Sequence, residues 1–113
     1  MHELPVVTGL VKLLDKESEE AGLKKISEVY LNVGELSGIV DECVEEYFEL
    51  LSDGHSCEGA ALHFNHLKAR FKCTSCGIEF DHEKGFDCPV CKGAATLIKG
   101  SGSGFEVDRI KGE

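Results

Sequence analysis

The chain has 113 residues, enough for one domain or for a small domain that carries a satellite. Hydrophobic residues make up 42% of it, which is typical of a globular protein and excludes a disordered one. Twenty-one acidic residues against twelve basic ones give a net charge of −9, so nucleic acid is not an expected partner.

The chain opens with a segment that we predict to be an amphipathic helix. Apolar residues recur there at three- and four-residue intervals: Val6, Val7, Leu10, Leu13 and Leu14. Residues 15–20, five of them charged, continue the helix, and Gly22 is placed to end it. The apolar run is interrupted by Pro5 and Lys12 and has no basic region before it. It therefore predicts neither a signal peptide nor a membrane span, and we expect no membrane partner.

A strand, a second helix and another strand follow. Residues 26–33 alternate between apolar and polar, as expected of a strand covered on one side. After a loop at 34–38, Asp41 is a plausible cap for a helix. The buried stripe of this helix is predicted to be Val44, Tyr47, Phe48 and Leu51. Asp53-Gly54 ends it, and residues 60–67 form the next strand.

Four cysteines then occur as two Cys-x2-Cys pairs: Cys73, Cys76, Cys88 and Cys91. Each two-residue gap lets both sulfurs of a pair face one ion, so the pairs predict a tetrahedral Zn²⁺ site. Gly77 follows the first pair, where such a turn needs a positive φ. Four thiolates leave no open position for water, so this zinc is expected to be structural. A thiol redox role is the alternative, but two pairs together favour metal.

The end of the chain suggests how the parts connect. Residues 99–104, Lys-Gly-Ser-Gly-Ser-Gly, are predicted to be a flexible linker, and residues 105–110 a final strand. One strand cannot build a domain, so we expect it to return to the sheet of the first two. The prediction is a mixed α+β fold, two helices on a three-stranded sheet with an inserted zinc ribbon joined to adjacent strands. The domains are predicted at 1–69 plus 104–113 and at 70–103.

The first three residues, Met1-His2-Glu3, can chelate a metal ion. The Met1 amine and a deprotonated His2 amide close a five-membered ring, and the His2 Nδ1 closes a six-membered one. The Glu3 amide or carboxylate completes a tetragonal N/O site, which suits Ni²⁺ or Cu²⁺ rather than Zn²⁺. Most histidines at such a position are simply exposed. The helix that follows, however, would hold this one in place.

Three motifs together resemble the HypA/HybF family of nickel metallochaperones for hydrogenase maturation. They are Met1-His2-Glu3, the loop sequence Val-Gly-Glu-Leu-Ser at 33–37, and the four-cysteine ribbon before a terminal strand. The likeness covers essentially the whole chain and implies that the ion at the N-terminus is nickel. It further implies that His2 is the essential nickel ligand with Glu3 as its acidic neighbour, and that the four cysteines hold zinc. Asp41 falls near a position that is acidic and close to nickel in some members.

The resemblance also implies partners. They are a nickel-handling GTPase accessory protein and the large-subunit precursor of a [NiFe]-hydrogenase, with urease maturation served by some members. We expect a monomer or weak homodimer.

We expect ordinary structural roles for the other cysteines and histidines. Cys43 and Cys57 are expected to be free thiols used in packing, which suits a reducing cytoplasm. His82 is expected to be a solvated loop residue, and His63 and His66 to lie on opposite faces of their strand. His55 lies close to Cys57, but one His-x-Cys is poor support for a site. The acidic residues of the second helix are its solvent face or part of a docking surface for a basic partner: Asp41, Glu42, Glu45 and Glu46.

The sequence therefore predicts a nickel carrier that catalyses no reaction, since no nucleophile with a base, phosphate loop or pair of catalytic carboxylates is visible. The alternative is a zinc-ribbon adaptor that binds a protein and ignores nickel. Metal analysis distinguishes the two.

Overall fold

The structure is a computed structural model that describes residues 3–82 and 87–113. Its elements in chain order are α1 (Glu3–Ala21), β1 (Ile26–Gly34), α2 (Asp41–Leu51), β2 (Ala61–Leu67), β3 (Arg70–Cys73), β4 (Glu79–Asp81), β5 (Ala95–Leu97) and β6 (Phe105–Gly112). The strands form two three-stranded sheets, ordered β2-β1-β6 and β4-β3-β5. The first sheet with both helices is called here the α/β unit, and the second sheet with the four-cysteine cluster is called the ribbon.

The α/β unit follows the predicted return of the last strand. β1 is central, parallel to β2 and antiparallel to β6. The ribbon is therefore inserted between the two edge strands, and the expectation that it joins adjacent strands is wrong. The fold class, two helices on a three-stranded sheet with an inserted zinc ribbon, is confirmed. The exact domain boundaries stay a prediction.

The helices cover one face of the sheet and form the core there. Val29, Leu31 and Val33 of β1 are buried, while the alternate residues face away from the helices. Helix α1 buries Val7, Leu10, Val11 and Leu14. Leu13 was predicted to belong to this stripe but is exposed, because the helix turns Val11 inward instead. In α2 the predicted stripe is confirmed, with Val44 and Phe48 buried and Tyr47 and Leu51 partly buried against the core.

Helix ends follow local chemistry with one exception. Gly22 ends α1 in the left-handed region, with φ of 71°, and Leu23 N donates to Ser18 O at 2.8 Å. The prediction that Asp41 caps α2 is wrong. Val40 occupies the cap position without a side-chain hydrogen bond, and Asp41 is the first helical residue.

The opposite face of the sheet is polar and aromatic. Tyr30 stacks on His63 with ring centroids 4.5 Å apart, and the Arg109 guanidinium carbon lies 4.2 Å from the Tyr30 centroid on the neighbouring strand. His63 also contacts Glu28 at 3.0 Å. These cross-strand contacts stabilise the sheet where no helix covers it.

The loop after β1 lies where the ribbon leaves and rejoins the α/β unit. Gly34 N donates to Gly104 O at 2.9 Å, and Leu36 N donates to Gly102 O at 2.7 Å. A Cβ on Gly34 would collide with the backbone of Gly102, and a Cβ on Gly102 would lie 2.7 Å from the Cα of Ala69. The prediction of a flexible linker at 99–104 is therefore corrected, because these glycines permit a close, hydrogen-bonded approach of backbones.

Candidate metal centres

The ribbon brings all four predicted zinc ligands together. Their Sγ atoms lie within 4.8 Å of one another, and no other group of three or more metal-ligating side chains is that close in residues 3–82 and 87–113. Cys73 Sγ is 3.4 Å from Cys91 Sγ, and Cys76 Sγ is 3.7 Å from Cys88 Sγ. A tetrahedron with Zn–S bonds of about 2.3 Å has S–S edges of about 3.8 Å, so the cluster fits Zn²⁺.

Backbone N–H groups surround the first pair of sulfurs. Cys76 N and Ser75 N donate to Cys73 Sγ at 3.3 and 3.4 Å. The pKa of Cys73 is lowered to about 6, and the N–H of Cys76 is the main cause. The N–H of Ser75 also lowers this pKa, whereas burial raises it. A thiolate stabilised in this way is ready to bind a cation, since the metal requires the deprotonated form.

The second pair repeats this turn. Val90 N donates to Cys88 Sγ at 3.4 Å, and the N–H of Cys91 is the main cause of the lowered pKa of Cys88. The left-handed position after each pair is occupied by Gly77 (φ 78°) in the first turn and by Lys92 (φ 63°) in the second. Only the first of these was predicted, because a lysine carries no signal for positive φ.

Gly93, the residue after Lys92, has a different task. A Cβ there would lie 2.9 Å from Ser75 Oγ and 3.2 Å from Cys91 Sγ. The two turns therefore pack directly against each other across the cluster, and a side chain at position 93 would force them apart.

The predicted nickel site lies at the start of α1, and its two main residues, Met1 and His2, lie outside the described residues. Glu3 is the first helical residue, with an exposed fraction of 8%. Its Oε2 accepts the N–H of Val40, at 3.2 Å, at the start of α2. The beginning of α1 is therefore packed against the beginning of α2.

Asp41 is adjacent to this contact but has its own partner. Its Oδ2 lies 2.8 Å from Nε2 of His66 on β2. His66 and His63 lie on opposite faces of the strand, as predicted. His63 contacts the Glu28 carboxylate and stacks on the Tyr30 ring. No local sequence pattern indicates the contact between His66 and Asp41, because the two are 25 residues apart.

The other two histidines that the structure describes, His55 and His82, also lie next to carboxylates. His55 Nδ1 is 2.6 Å from Asp15 Oδ2, which joins the loop after α2 to α1. His82 Nδ1 is 2.9 Å from Glu35 Oε1, and about a quarter of each side chain is exposed. His82 was expected to be solvated. It instead links the ribbon to the loop after β1.

The two isolated cysteines are free, as predicted. Cys57 is fully buried in the core of the α/β unit, and this burial raises its pKa to about 11. Cys43 on α2 is partly buried, and burial with the nearby Glu3 carboxylate raises its pKa. Both thiols are therefore held in the protonated form and act as small apolar groups.

An α/β unit with an inserted four-thiolate ribbon defines a small two-part metal-binding protein. Comparison with known proteins makes this specific. A family model described as hydrogenase/urease nickel incorporation, metallochaperone, hypA matches residues 1–112. The chain belongs to the HypA family.

Relatives and solved structures agree. A hydrogenase maturation factor HypA from Caldanaerobacter subterraneus subsp. tengcongensis is 43% identical over 114 residues, which is 100% of both chains. One from Methanocaldococcus jannaschii is 35% identical over 88% of each chain. The solution structure of the Ni metallochaperone HypA from Helicobacter pylori has the same fold, with a TM-score of 0.68, 22% identity and coverage of 99% of this chain and 97% of that one.

No helix among the described residues is long and apolar enough to span a bilayer.

Proposed function

We propose that this chain is a nickel metallochaperone that binds Ni²⁺ at its N-terminus and delivers it for the maturation of a [NiFe]-hydrogenase, with urease as a further client class. The observation that carries the proposal is the sequence Met1-His2-Glu3, whose third residue begins α1, in a member of a nickel-incorporation family. Nickel is the cargo, and the protein turns over no substrate.

The proposed ligands are the Met1 amine, the His2 amide and Nδ1, and a group of Glu3. The Glu3 amide suits this role because the first N–H groups of a helix have no intrahelical acceptor. The Glu3 carboxylate already accepts a hydrogen bond from Val40, so ligation through the carboxylate would disturb the contact between the helices. Ligation through the amide leaves that contact intact.

The charge at this end of α1 supports the same choice. A helix N-terminus repels cations through its dipole. Two deprotonated amides would cancel the charge of Ni²⁺, so the complex would bring no net positive charge to the helix. Asp41 is a further candidate ligand, but it would have to leave His66 to bind the ion.

Delivery follows from the open geometry of a terminal chelate. A partner can replace its nitrogens one at a time, whereas the four-thiolate site is closed and is proposed to hold Zn²⁺ permanently. The proposed partners are a nickel-handling GTPase accessory protein and the hydrogenase large-subunit precursor. The reduced thiols of the ribbon suit the cytoplasm as the compartment.

The test is a nickel titration of zinc-loaded protein. His2→Ala is expected to abolish nickel binding and to leave one zinc per chain. Residues added before Met1 are expected to do the same, because they remove the free amine, while the same residues added after Glu113 serve as the control. Nickel binding that survives the N-terminal extension would refute the chelate, and a wild-type chain with one zinc and no nickel would identify an adaptor.

Protons compete for the same nitrogens. The reference pKa is about 6.5 for an imidazole and about 7.7–8.0 for an α-amine, so nickel affinity should be lower at pH 6 than at pH 8. Equal affinities at the two pH values would count against a terminal-amine site.

A further inference from the structure

A groove lies between the second half of α2 and the first residues of β2, and its lining combines apolar and acidic side chains. Its volume is about 880 Å³. The exposed Leu50 and the partly buried Leu62 are among its apolar residues. Its acidic residues are Glu45, Glu49, Asp53 and Glu58. Within residues 3–82 and 87–113, no lysine, arginine or histidine lines it. We call it the α2–β2 groove.

The strand that borders this groove is an unprotected sheet edge. β2 pairs with β1 on one side and has no strand partner on the other in the described part of the chain. Edge strands are usually protected by lysine, proline, other charges or bulges. The seven residues of β2, Ala-Leu-His-Phe-Asn-His-Leu, contain no proline, lysine, arginine or carboxylate.

The other edge of the same sheet shows the usual protection. β6 carries four charged residues, Glu106, Asp108, Arg109 and Lys111. Its pairing with β1 also skips Asp108, which is the extra residue of a bulge. One edge of the sheet is therefore closed to further strands, and the other is open over seven residues.

We propose that the β2 edge and the α2–β2 groove form a docking surface for an extended basic segment of a partner protein, which adds a fourth strand to the sheet. Main-chain hydrogen bonds to the edge would supply affinity. The apolar side chains of the segment would lie on Leu50 and Leu62, and its lysines or arginines would meet the four carboxylates.

Charge favours this occupant over a second copy of the chain. Pairing of β2 with β2 would bring together the acidic rims of two molecules that each carry a net charge of −9. Like charges placed opposite each other disfavour association. The surface also lies toward the end of α2 away from Glu3, so the inference does not depend on nickel binding.

The experiment uses the zinc-loaded protein and a blocked synthetic peptide in which lysine alternates with valine. Calorimetry measures affinity, and amide hydrogen exchange followed by NMR measures protection of residues 61–67. The lysine peptide is expected to bind and to slow exchange in β2, and a glutamate–valine peptide is not. No binding, or binding without protection of β2, would overturn the proposal.

Two matched variants identify the surface. Glu45→Lys with Glu49→Lys reverses charge at the groove, and Glu42→Lys with Glu46→Lys makes the same change on exposed α2 residues that do not line it. The first pair is expected to weaken peptide binding by at least about tenfold and the second by less than about threefold, because nearby charges act more strongly than distant, screened ones. Equal weakening would overturn the proposal.

Two further measurements separate other outcomes. Protection of β2 that rises with protein concentration and without peptide would identify a second copy as the occupant and overturn the basic segment. Nickel titration of both variants reports on the proposed carrier function separately, because neither pair includes a proposed nickel ligand.

Discussion

The two parts of this molecule are held together by different means. The α/β unit has a continuous apolar core of eleven buried residues from both helices, β1 and the loop that holds Cys57. None of the ribbon residues that the structure describes belongs to that core. The ribbon has few buried residues of its own, chiefly Phe71, Cys73 and Cys88. A sheet of such short strands lacks the apolar area to fold alone, so its stability must come from the metal.

This difference gives different tasks to the two proposed metals. Zinc in the ribbon would replace a missing core, and losing it would unfold that part. Nickel at the start of α1 would contribute nothing to the fold, because the helix is fixed by Val7, Leu10 and Leu14. A carrier that stays folded when its cargo leaves can bind and deliver a further ion.

The largest expected effect is that of zinc removal. A chelator, or Cys73→Ser, should abolish the ordered ribbon, since structural zinc contributes about 10 kcal/mol to folding in small zinc modules. NMR amide signals from 70–82 and 87–98 should collapse to random-coil positions, while those of the α/β unit remain dispersed. Cys43→Ser, outside the cluster, is the control and should keep one zinc. Collapse of both parts would show that the core is not independent.

A truncation in the apolar core should have the opposite effect, because it should destabilise the α/β unit and not the ribbon. Leu31→Ala removes a fully buried side chain of the central strand and should destabilise the α/β unit by about 2–5 kcal/mol. Urea unfolding followed by tyrosine fluorescence measures this, because both tyrosines, Tyr30 and Tyr47, lie in the α/β unit. The half-exposed Leu97 of β5 provides the control, since Leu97→Ala should change little.

Zinc content of the same variant sharpens the comparison. If the ribbon depends only on its metal, Leu31→Ala should still bind one zinc in urea concentrations that unfold the α/β unit. Zinc release together with tyrosine exposure would mean that the two parts unfold as one.

A smaller effect is expected from the polar link between α1 and the loop after α2. Asp15 accepts hydrogen bonds from Ser56 Oγ at 2.7 Å and Ser56 N at 3.2 Å, in addition to its contact with His55. The hydrogen bond from the Ser56 hydroxyl is the main cause of the lowered pKa of Asp15, and the contact with His55 and the N–H of Ser56 lower it further. The group is partly solvated, so Asp15→Ala should cost only about 1 kcal/mol in the tyrosine-monitored urea assay.

The pH dependence of that cost has a definite sign. The pKa of Asp15 is lower in the folded chain than in the unfolded one, so its contribution is complete above the unfolded value, about pH 4. It is lost as the pH falls through the folded value. The difference between wild type and Asp15→Ala should therefore shrink in acid. A difference that grows in acid would contradict this assignment.

Much of the fold was predictable because its signals are local. The Cys-x2-Cys spacing predicts a shared ion, and the alternation in 26–33 predicts a strand covered on one side. β5 was missed because three residues, Ala95–Leu97, are too few to show a period. Val11 was missed because a four-residue repeat does not decide which neighbouring position turns inward.

The contacts that were not predicted are long-range. The pairs Asp15–His55, Asp41–His66 and Glu35–His82 join residues 40, 25 and 47 positions apart. Nothing local indicates such pairs, since they exist only after the core has packed. The Gly-Ser stretch at 99–104 was misread for the same reason, because its glycines resemble a linker until the approach of Gly34 and Ala69 is known.

The smallest expected effect concerns the junction of the two parts. Glu35→Gln removes the charge that faces His82 across the junction, yet the backbone bonds from Gly34 and Leu36 to residues 102–104 remain. Global stability should fall by less than about 1 kcal/mol, as is usual for a pair with this much exposure. The orientation of the ribbon relative to the α/β unit should become less restricted, however. The Glu35–His82 contact limits the angle between the two parts, which the backbone hydrogen bonds of the junction leave free. Residual dipolar couplings measured separately for the two sheets test this, with Glu106→Gln on the exposed edge strand as the control. A ribbon that keeps the wild-type alignment in Glu35→Gln would mean that the backbone of the junction alone fixes how the zinc-dependent part is held against the core-dependent one.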